Sequence, residues 1–224
     1  MKNYYDGYRT DIFELLHKNQ ISKKLKILEI GAGNGEFSKN FPKEVEYWIV
    51  EPDLKSAISA RKKHKNVLNA YYDDIKAQLP NDYFDLIICN DVIEHMQNWK
   101  NFLKDIQDKI NKNRKGKIIG SIPNFRHFTV LYEILCKKDF KYRESGILDK
   151  THVVFFTEKS LKRELINSGF EVETLKLMKK FRLTKDQNIF KYIISKLVIY
   201  ILGADSAYGQ FGFVCSIKEI DDEK

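Results

Sequence analysis

Short apolar runs recur along the chain, and between them apolar residues return every three or four positions. Runs of this length predict strands, and the intervening spacing predicts amphipathic helices. The strands are expected at 25–30, 46–51, 66–70, 84–90, 116–122, 170–178 and 210–218. Helices are expected at 12–16, 54–63, 97–110 and 161–166, and a short one at 36–41. Alternation of this kind predicts an α/β fold around a mostly parallel sheet.

The turn after the first strand contains glycine at alternate positions: Gly31, Gly33 and Gly35. Glycine takes positive φ readily and has no Cβ, so a ligand can approach the main chain directly. Glu29 lies just before the turn, and Glu51 ends the next apolar run. A carboxylate at the turn suits a cationic ligand with an amino acid group, and one at the second strand end suits ribose hydroxyls. The pattern therefore predicts a nucleoside site.

These segments resemble the successive motifs of class I S-adenosylmethionine-dependent methyltransferases, in the same order and across most of 25–178. The residues concerned are 29–35, 51–53, 73–75, 84–95 and 116–124. The resemblance implies a Rossmann-like, doubly wound, seven-stranded sheet that is mostly parallel with an antiparallel last strand. It also implies that the cofactor S-adenosylmethionine lies across the carboxyl ends of the first, second and fourth strands.

The same resemblance assigns cofactor-binding roles to individual residues. Glu29 and the turn face the methionine part, Glu51 holds the ribose, and two residues after the third strand bracket the adenine. Two further residues close the site from strand four. The full set is Glu29, Gly31, Ala32, Gly33, Gly35, Glu51, Pro52, Asp74, Ile75, Asn90 and Asp91.

Candidate catalytic residues follow the fourth strand. Asp91, Glu94 and His95 place two carboxylates and an imidazole within five residues at a predicted helix start, and His152 lies just before the last helix. Similar E-x-x-E-H clusters with a later histidine occur in divalent-metal-dependent O-methyltransferases, including ubiquinone-pathway and plant small-RNA enzymes. Here Asp91 replaces the first glutamate, so these four residues are an alternative metal site. Without a metal, His95 or His152 is expected to take the proton of a substrate hydroxyl, beside Asp91.

The acceptor is expected to contact Asn124, Arg126 and His127, which follow the fifth strand at the ligand-binding edge of the sheet. Arg126 is the predicted anion contact. This segment, with 146–157 and 208–214, is similar to small bacterial methyltransferases of sugar, capsule and lipopolysaccharide biosynthesis. The resemblance implies O-methylation of a sugar, sugar nucleotide or related phosphorylated precursor. The alternatives are a quinone or lipid acceptor, an RNA 2′-hydroxyl, and a module that binds without catalysis.

Chain length and charge indicate how many domains and what kind of binding partner to expect. The length of 224 residues suits a single domain over 1–224, with insertions at about 124–150 and 179–207. The net charge is +8, but only 7 of the 39 basic residues are arginine, and the lysines are spread along the chain. A nucleic-acid partner is therefore not expected, whereas a small-molecule acceptor is.

Location and assembly follow from two further features. The three cysteines offer neither metal spacing nor a disulfide framework, and the first residues have no apolar signal core, so a cytoplasmic protein is expected. The apolar segment 189–202 is too short to span a bilayer and contains two lysines. It is expected to pack within the domain or form a homodimer face, with contact to a membrane surface as the alternative.

Overall fold

A computed structural model describes residues 8–17, 21–181, 196–197 and 199–218. Its centre is a seven-stranded sheet in the order β3-β2-β1-β4-β5-β7-β6. The strands are β1 Lys26–Ile30, β2 Glu46–Val50, β3 Asn66–Leu68, β4 Leu86–Asn90, β5 Lys117–Pro123, β6 Phe170–Lys180 and β7 Tyr208–Ile217. The predicted strands therefore all form, with ends displaced by at most a few residues.

The first five strands are parallel, and β7 lies between β5 and β6, antiparallel to both. The predicted mostly parallel sheet with an antiparallel last strand is confirmed. Because β1, β2 and β4 are parallel, their carboxyl ends lie at one edge of the sheet. The strand order reverses between β1 and β4, and ligands bind at such a switch point in open α/β sheets.

Helices cover both faces of the sheet. They are α1 Thr10–Phe13, α2 Leu54–Arg61, α3 Tyr72–Ile75, α4 Trp99–Asp105, α5 Phe128–Leu135 and α6 Glu158–Asn167. Short 3-10 turns occupy Glu36–Asn40, Lys76–Gln78, Ile93–His95, Ile106–Lys109 and Ala204–Ala207. Thr157 and Ser160 form a reciprocal capping box at the start of α6, which fixes where that helix begins.

Two apolar cores result from the alternation of side chains along the strands. On β1, Leu28 and Ile30 enter one core with α3, α4 and α6, whereas Ile27 enters the other with α1 and α2. Because both faces of the central strands are buried, these strands are almost continuously apolar. Side chains at the strand ends are thereby held rigidly at the ligand-binding edge.

The two predicted insertions are described to different extents. The segment 124–150 contains α5 and a loop that returns to it, with Glu133 on α5 paired to Arg143 at 2.8 Å. Most of 179–207, including much of 189–202, lies outside the described residues. None of the helices that the structure describes has the length and apolar character needed to cross a membrane.

Candidate active site

The glycine turn has the backbone conformation that its sequence predicts. Gly31, Gly33 and Gly35 have φ of 66°, 54° and 72°. A Cβ on Gly31 would lie 2.5 Å from Cγ2 of Val92, on the chain that leaves β4. The turn and the end of β4 are therefore in van der Waals contact, and only glycine fits between them.

Glu51 ties this turn to the end of β2. Its Oε2 accepts a 2.7 Å hydrogen bond from the Gly33 amide, and its Oε1 accepts a 2.8 Å bond from the Asp53 amide. Asn69, after β3, donates from Nδ2 to the carbonyls of Glu51 and Pro52 at 2.8 and 3.0 Å. Sequence reasoning missed Asn69, although its position directly after a strand was an available signal.

Glu29 has a different environment from the one expected. Its Oε2 accepts a 2.8 Å hydrogen bond from the Tyr47 hydroxyl, and the residue is only 3 % exposed. Burial raises the pKa of Glu29 to about 8, opposed by the bond from Tyr47 and assisted by the charge of Glu51. The carboxyl is therefore largely protonated at neutral pH, which differs from the fixed counter-charge that the sequence led us to expect.

The other residues predicted to bind the cofactor differ in their exposure to solvent. Asn90 ends β4, and its buried Oδ1 has no hydrogen-bond partner among the described residues. Asp74 is exposed on α3, whereas Ile75 is buried in the core beneath it. A buried acceptor at the carboxyl edge is free for a ligand donor, so Asn90 fits the predicted nucleoside site well.

Asp91 is hydrogen-bonded to residues that sequence analysis did not select as site residues. Its Oδ2 lies 2.9 Å from Nη1 of Arg9, and its Oδ1 accepts 2.8 Å bonds from Ser121 and Gln210. Nη1 and Nη2 of Arg9 also donate to Ser121 and Gln210, at 3.2 and 3.1 Å. The N-terminal segment is thereby fastened to the ends of β4, β5 and β7.

The helix start expected at Asp91, Glu94 and His95 is only a short turn in the structure. Asp91 has a φ of 55°, and Ile93–His95 forms a single 3-10 turn. The metal-type cluster in the described residues consists of Glu94, His95 and His152, with ligand atoms within 4.8 Å of one another.

This three-residue cluster contains two histidine rings in edge contact. The ring centroids of His95 and His152 are 4.6 Å apart at 68°. His152 is buried and its Nδ1 lies 3.0 Å from the Ile147 carbonyl, whereas His95 is exposed and its Nδ1 lies 3.0 Å from Oγ1 of Thr151. Although His95 is exposed at its surface, desolvation of the part of the ring packed against the cluster and the neighbouring His152 lower the pKa of His95 below its ordinary value.

Glu94 is 1 % exposed, and both of its carboxyl oxygens have no hydrogen-bond partner among the described residues. Burial, reinforced by the charge of Asp91, raises the pKa of Glu94 well above its ordinary value. A buried carboxyl without partners is unfavourable and stays neutral unless a cation or donor reaches it. The cluster is therefore suited to a divalent cation or to a hydroxyl donor.

An aromatic wall stands beside His152 and is formed by Phe125, Phe140, Tyr142 and Phe155. Phe155 lies 6.2 Å from the His152 ring, 4.8 Å from Phe125 and 5.9 Å from Phe140, between ring centroids. Phe140 and Tyr142 are 40 % and 49 % exposed. An open aromatic surface next to titratable groups is suited to an aromatic or apolar ligand.

The predicted acceptor contacts are engaged within the protein. Nδ2 of Asn124 donates to the carbonyls of Asp205 and Tyr208 at 2.9 and 2.8 Å. Arg126 pairs with Asp205 at 2.6 Å and also donates to the Leu202 carbonyl. His127 is buried, and burial lowers its pKa to about 4. Arg126, the predicted anion contact, thus forms an internal ion pair that ties the segment before β7 to the end of β5.

Comparison with known proteins identifies the family. Residues 4–175 match the family model described as a methyltransferase domain, which covers most of the chain. The chain belongs to this methyltransferase family. The prediction of a methyltransferase is thus confirmed.

Curated relatives and solved structures agree with this assignment. The chain is 25 % identical over 166 residues to a ubiquinone biosynthesis O-methyltransferase of Rickettsia canadensis, covering 71 % of this chain and 68 % of the relative. It is 31 % identical over 122 residues to the mitochondrial enzyme of that name from Schizosaccharomyces pombe, covering 51 % and 42 %. A SAM-dependent methyltransferase structure from Archaeoglobus fulgidus has a TM-score of 0.66 at 17 % identity, covering 94 % of each chain. The fold is therefore that of SAM-dependent methyltransferases.

The groups at the sheet edge fit the cofactor of that fold. The glycine turn leaves its main chain accessible, Glu51 presents a carboxylate at the end of β2, and Asn90 has an unpartnered acceptor, among the described residues, at the end of β4. These are the donor and acceptor types that an adenosyl ligand with an amino acid group requires.

Proposed function

We propose that this methyltransferase uses S-adenosylmethionine to methylate a hydroxyl on a small aromatic, quinone-like acceptor. The observation that carries the acceptor class is the aromatic wall beside His152. The relatives named as ubiquinone biosynthesis O-methyltransferases support the same class. Their names correspond to the quinone alternative of the sequence analysis rather than to its sugar prediction.

The sugar acceptor has less support because the polar contacts that it required are engaged elsewhere. The amide of Asn124 and the guanidinium of Arg126 are both bound to the segment before β7. The buried Asn124 amide would have to leave these carbonyls to donate to a sugar, which would leave buried carbonyl groups without a partner, and the charge of Arg126 is already compensated by Asp205. The aromatic wall needs no such change.

The residues of the chain have separate tasks in the proposed reaction. The cofactor supplies a methyl group on a positively charged sulfur. The Gly31–Gly35 turn, Glu51 and Asn90 hold its nucleoside and amino acid parts at the sheet edge. Phe125 and Phe155 hold an acceptor ring beside His95 and His152, whose unprotonated ring nitrogens take the hydroxyl proton. Alignment of oxygen, methyl and sulfur supplies much of the rate.

As an alternative form of the proposal, Glu94, His95 and His152 would hold a divalent cation, and the two imidazoles would then bind the cation instead of taking the proton. Two imidazoles and one carboxyl, with ligand atoms within 4.8 Å, leave coordination positions open to other ligands. A cation bound there would lower the pKa of an acceptor hydroxyl. It would also satisfy the Glu94 oxygens, which lack partners in the described part of the chain.

Acceptor competition tests the proposed function. Purified protein is incubated with S-adenosylmethionine and either a dihydroxybenzoate or a hexose nucleotide, and S-adenosylhomocysteine and methylated product are measured by mass spectrometry. We expect product with the aromatic diol and none with the sugar. Phe155→Ala should raise the KM for the diol at least about tenfold, since one aromatic contact and its burial are lost.

Ile58→Ala is the control, because Ile58 is exposed on α2 at the other face of the sheet and should leave KM unchanged. Methylation of the hexose nucleotide, without turnover of the diol, would exclude the aromatic acceptor. For the cation, activity that survives EDTA and does not increase with added Mg²⁺ or Mn²⁺ would exclude the metal while retaining the methyl transfer.

A further inference from the structure

Thr151 links His95 to a carboxylate through consecutive hydrogen bonds. Oγ1 of Thr151 donates to Oδ1 of Asp149 at 2.6 Å and lies 3.0 Å from Nδ1 of His95. The Thr151 amide donates to the same carboxylate oxygen at 2.8 Å. Thr151 is therefore fixed at two points against Asp149, and its hydroxyl stands between that carboxylate and the ring.

The chemistry of the three groups determines the direction of these bonds. An ionised carboxylate only accepts, so the single hydroxyl proton of Thr151 is directed to Asp149. The hydroxyl oxygen then has only lone pairs to offer His95, and the proton in that bond must belong to Nδ1. The geometry therefore selects the Nδ1–H tautomer of His95 and leaves Nε2 unprotonated.

His152 has the same tautomer for a simpler reason. Its Nδ1 lies 3.0 Å from the carbonyl oxygen of Ile147, and a carbonyl can only accept. Its Nε2 therefore also has a free lone pair. The two rings pack edge to face beside Glu94, whose two oxygens lack partners among the described residues. Both imidazoles thus present the atom that accepts a proton or binds a cation.

We propose that Thr151, supported by Asp149, is a positioning residue that holds His95 in the Nδ1–H tautomer with Nε2 available at the active site. The expected effect on the turnover number rests on the proposed methyl transfer. The Nδ1–H tautomer of His95 follows from the hydrogen bonds alone and does not depend on that proposal. His95 is exposed, and besides this contact only the Thr151 main chain and the edge of His152 are recorded against its ring among the described residues, so loss of the hydroxyl weakens the preference for one tautomer. Mutation of a residue that hydrogen-bonds to a metal-binding side chain and orients it usually lowers metal affinity or activity by roughly 10–100-fold.

Nitrogen NMR of the metal-free full chain tests the tautomer directly. The protein is labelled with ¹⁵N at histidine and studied at pH about 8, above the usual histidine range. We expect the His95 signals of the Nδ1–H form in the wild type and in Thr151→Ser, which keeps the hydroxyl. Thr151→Val, of similar shape without the hydroxyl, should shift His95 toward the Nε2–H form while His152 stays unchanged.

A parallel kinetic measurement gives the second readout. Thr151→Val should lower kcat at least about tenfold with unchanged affinity for S-adenosylhomocysteine, and Thr151→Ser should restore most of the activity. If Thr151→Val fails to fold, Asp149→Ala provides the same test. Removal of the acceptor lets the Thr151 hydroxyl donate to His95, so mixed tautomer signals are expected.

The outcomes separate this inference from the proposed function. Wild-type His95 in the Nε2–H form, or a tautomer unaffected by Thr151→Val, overturns the positioning role whatever the activity. The expected tautomers in a protein that methylates none of the acceptors overturn the proposed function and leave the positioning role intact.

Discussion

The backbone amide of Gly33 donates a 2.7 Å hydrogen bond to Oε2 of Glu51. This bond joins the glycine turn after β1 to the carboxyl end of β2. Burial raises the pKa of Glu51, and the amides of Asp53 and Gly33 oppose that rise. The same carboxylate that is suited to ribose hydroxyls therefore also shapes the turn on which the ligand lies, so cofactor binding and local backbone order are coupled.

Glu51→Ala should weaken binding of S-adenosylhomocysteine by at least about tenfold, because a pair of charge-assisted hydrogen bonds is lost. Isothermal calorimetry at fixed pH measures the change. Glu44→Ala is the control, since Glu44 pairs with Lys23 on the exposed surface. Equal affinities for both variants and the wild type would remove Glu51 from the ribose role.

Gly31→Ala should abolish most cofactor binding, whereas Gly146→Ala should not. Both glycines have positive φ, 66° and 92°, so both variants incur backbone strain of about 1–2 kcal/mol. Only Gly31 is crowded, with Cγ2 of Val92 at 2.5 Å from the new Cβ, and nothing in the described structure lies within 4 Å at Gly146. Urea unfolding and calorimetry separate the two effects. If Gly31→Ala and Gly146→Ala lost cofactor affinity equally, crowding against Val92 would not be the reason that position 31 requires glycine.

The fold was predictable because its signals are local and repeated. Each strand is a short apolar run, and the capping box at Thr157 marks the start of α6. By contrast, α5 was not predicted, and it lies in the segment 124–150 that the sequence analysis treated only as an insertion. Its Tyr132 and Leu135 are exposed and only Val130 is buried, so its apolar residues do not mark a single buried face.

The cofactor side of the site was predictable for the same reason, since glycines and carboxylates at strand ends are visible in the sequence. The acceptor side was not. Arg9 reaches Asp91 from 82 residues away, and Phe140 joins Phe155 only because a loop returns to the sheet edge. Such pairs depend on tertiary contact, and no spacing rule reports them.

Arg9→Ala should destabilise the protein by about 1–3 kcal/mol, because Asp91 would keep its partly buried charge after losing its cationic partner. Arg9 and Asp91 side chains are only 17 % and 13 % exposed. Urea unfolding measures the loss. The control Lys23→Ala removes the exposed pair with Glu44 and should leave the midpoint unchanged. If both variants unfold like the wild type, the Arg9–Asp91 pair contributes no stability.

Glu29→Gln should change how stability depends on pH. The carboxyl has a pKa of about 8 in the folded chain and 4.5 as its ordinary value, so between these values the folded state keeps a proton that the unfolded state releases. This contribution is complete below about 4.5, declines with rising pH by at most about 1.4 kcal/mol per unit, and is lost above about 8. The amide side chain introduced by Glu29→Gln cannot ionise, so the variant lacks this decline.

The stability difference between wild type and Glu29→Gln should therefore fall steadily as pH rises through this window, as measured by urea unfolding. Glu36→Gln is the control, because the pKa of Glu36 is shifted in the opposite direction to that of Glu29. Hydrogen bonds from Lys39 and Lys63 lower the pKa of Glu36, so its contribution is present at neutral pH and declines only in acid, below about 4.5. A flat difference for Glu29→Gln from weakly acidic to weakly basic pH would mean that Glu29 is ionised in the folded protein. It would then act as the fixed counter-charge that its position beside the glycine turn first indicated.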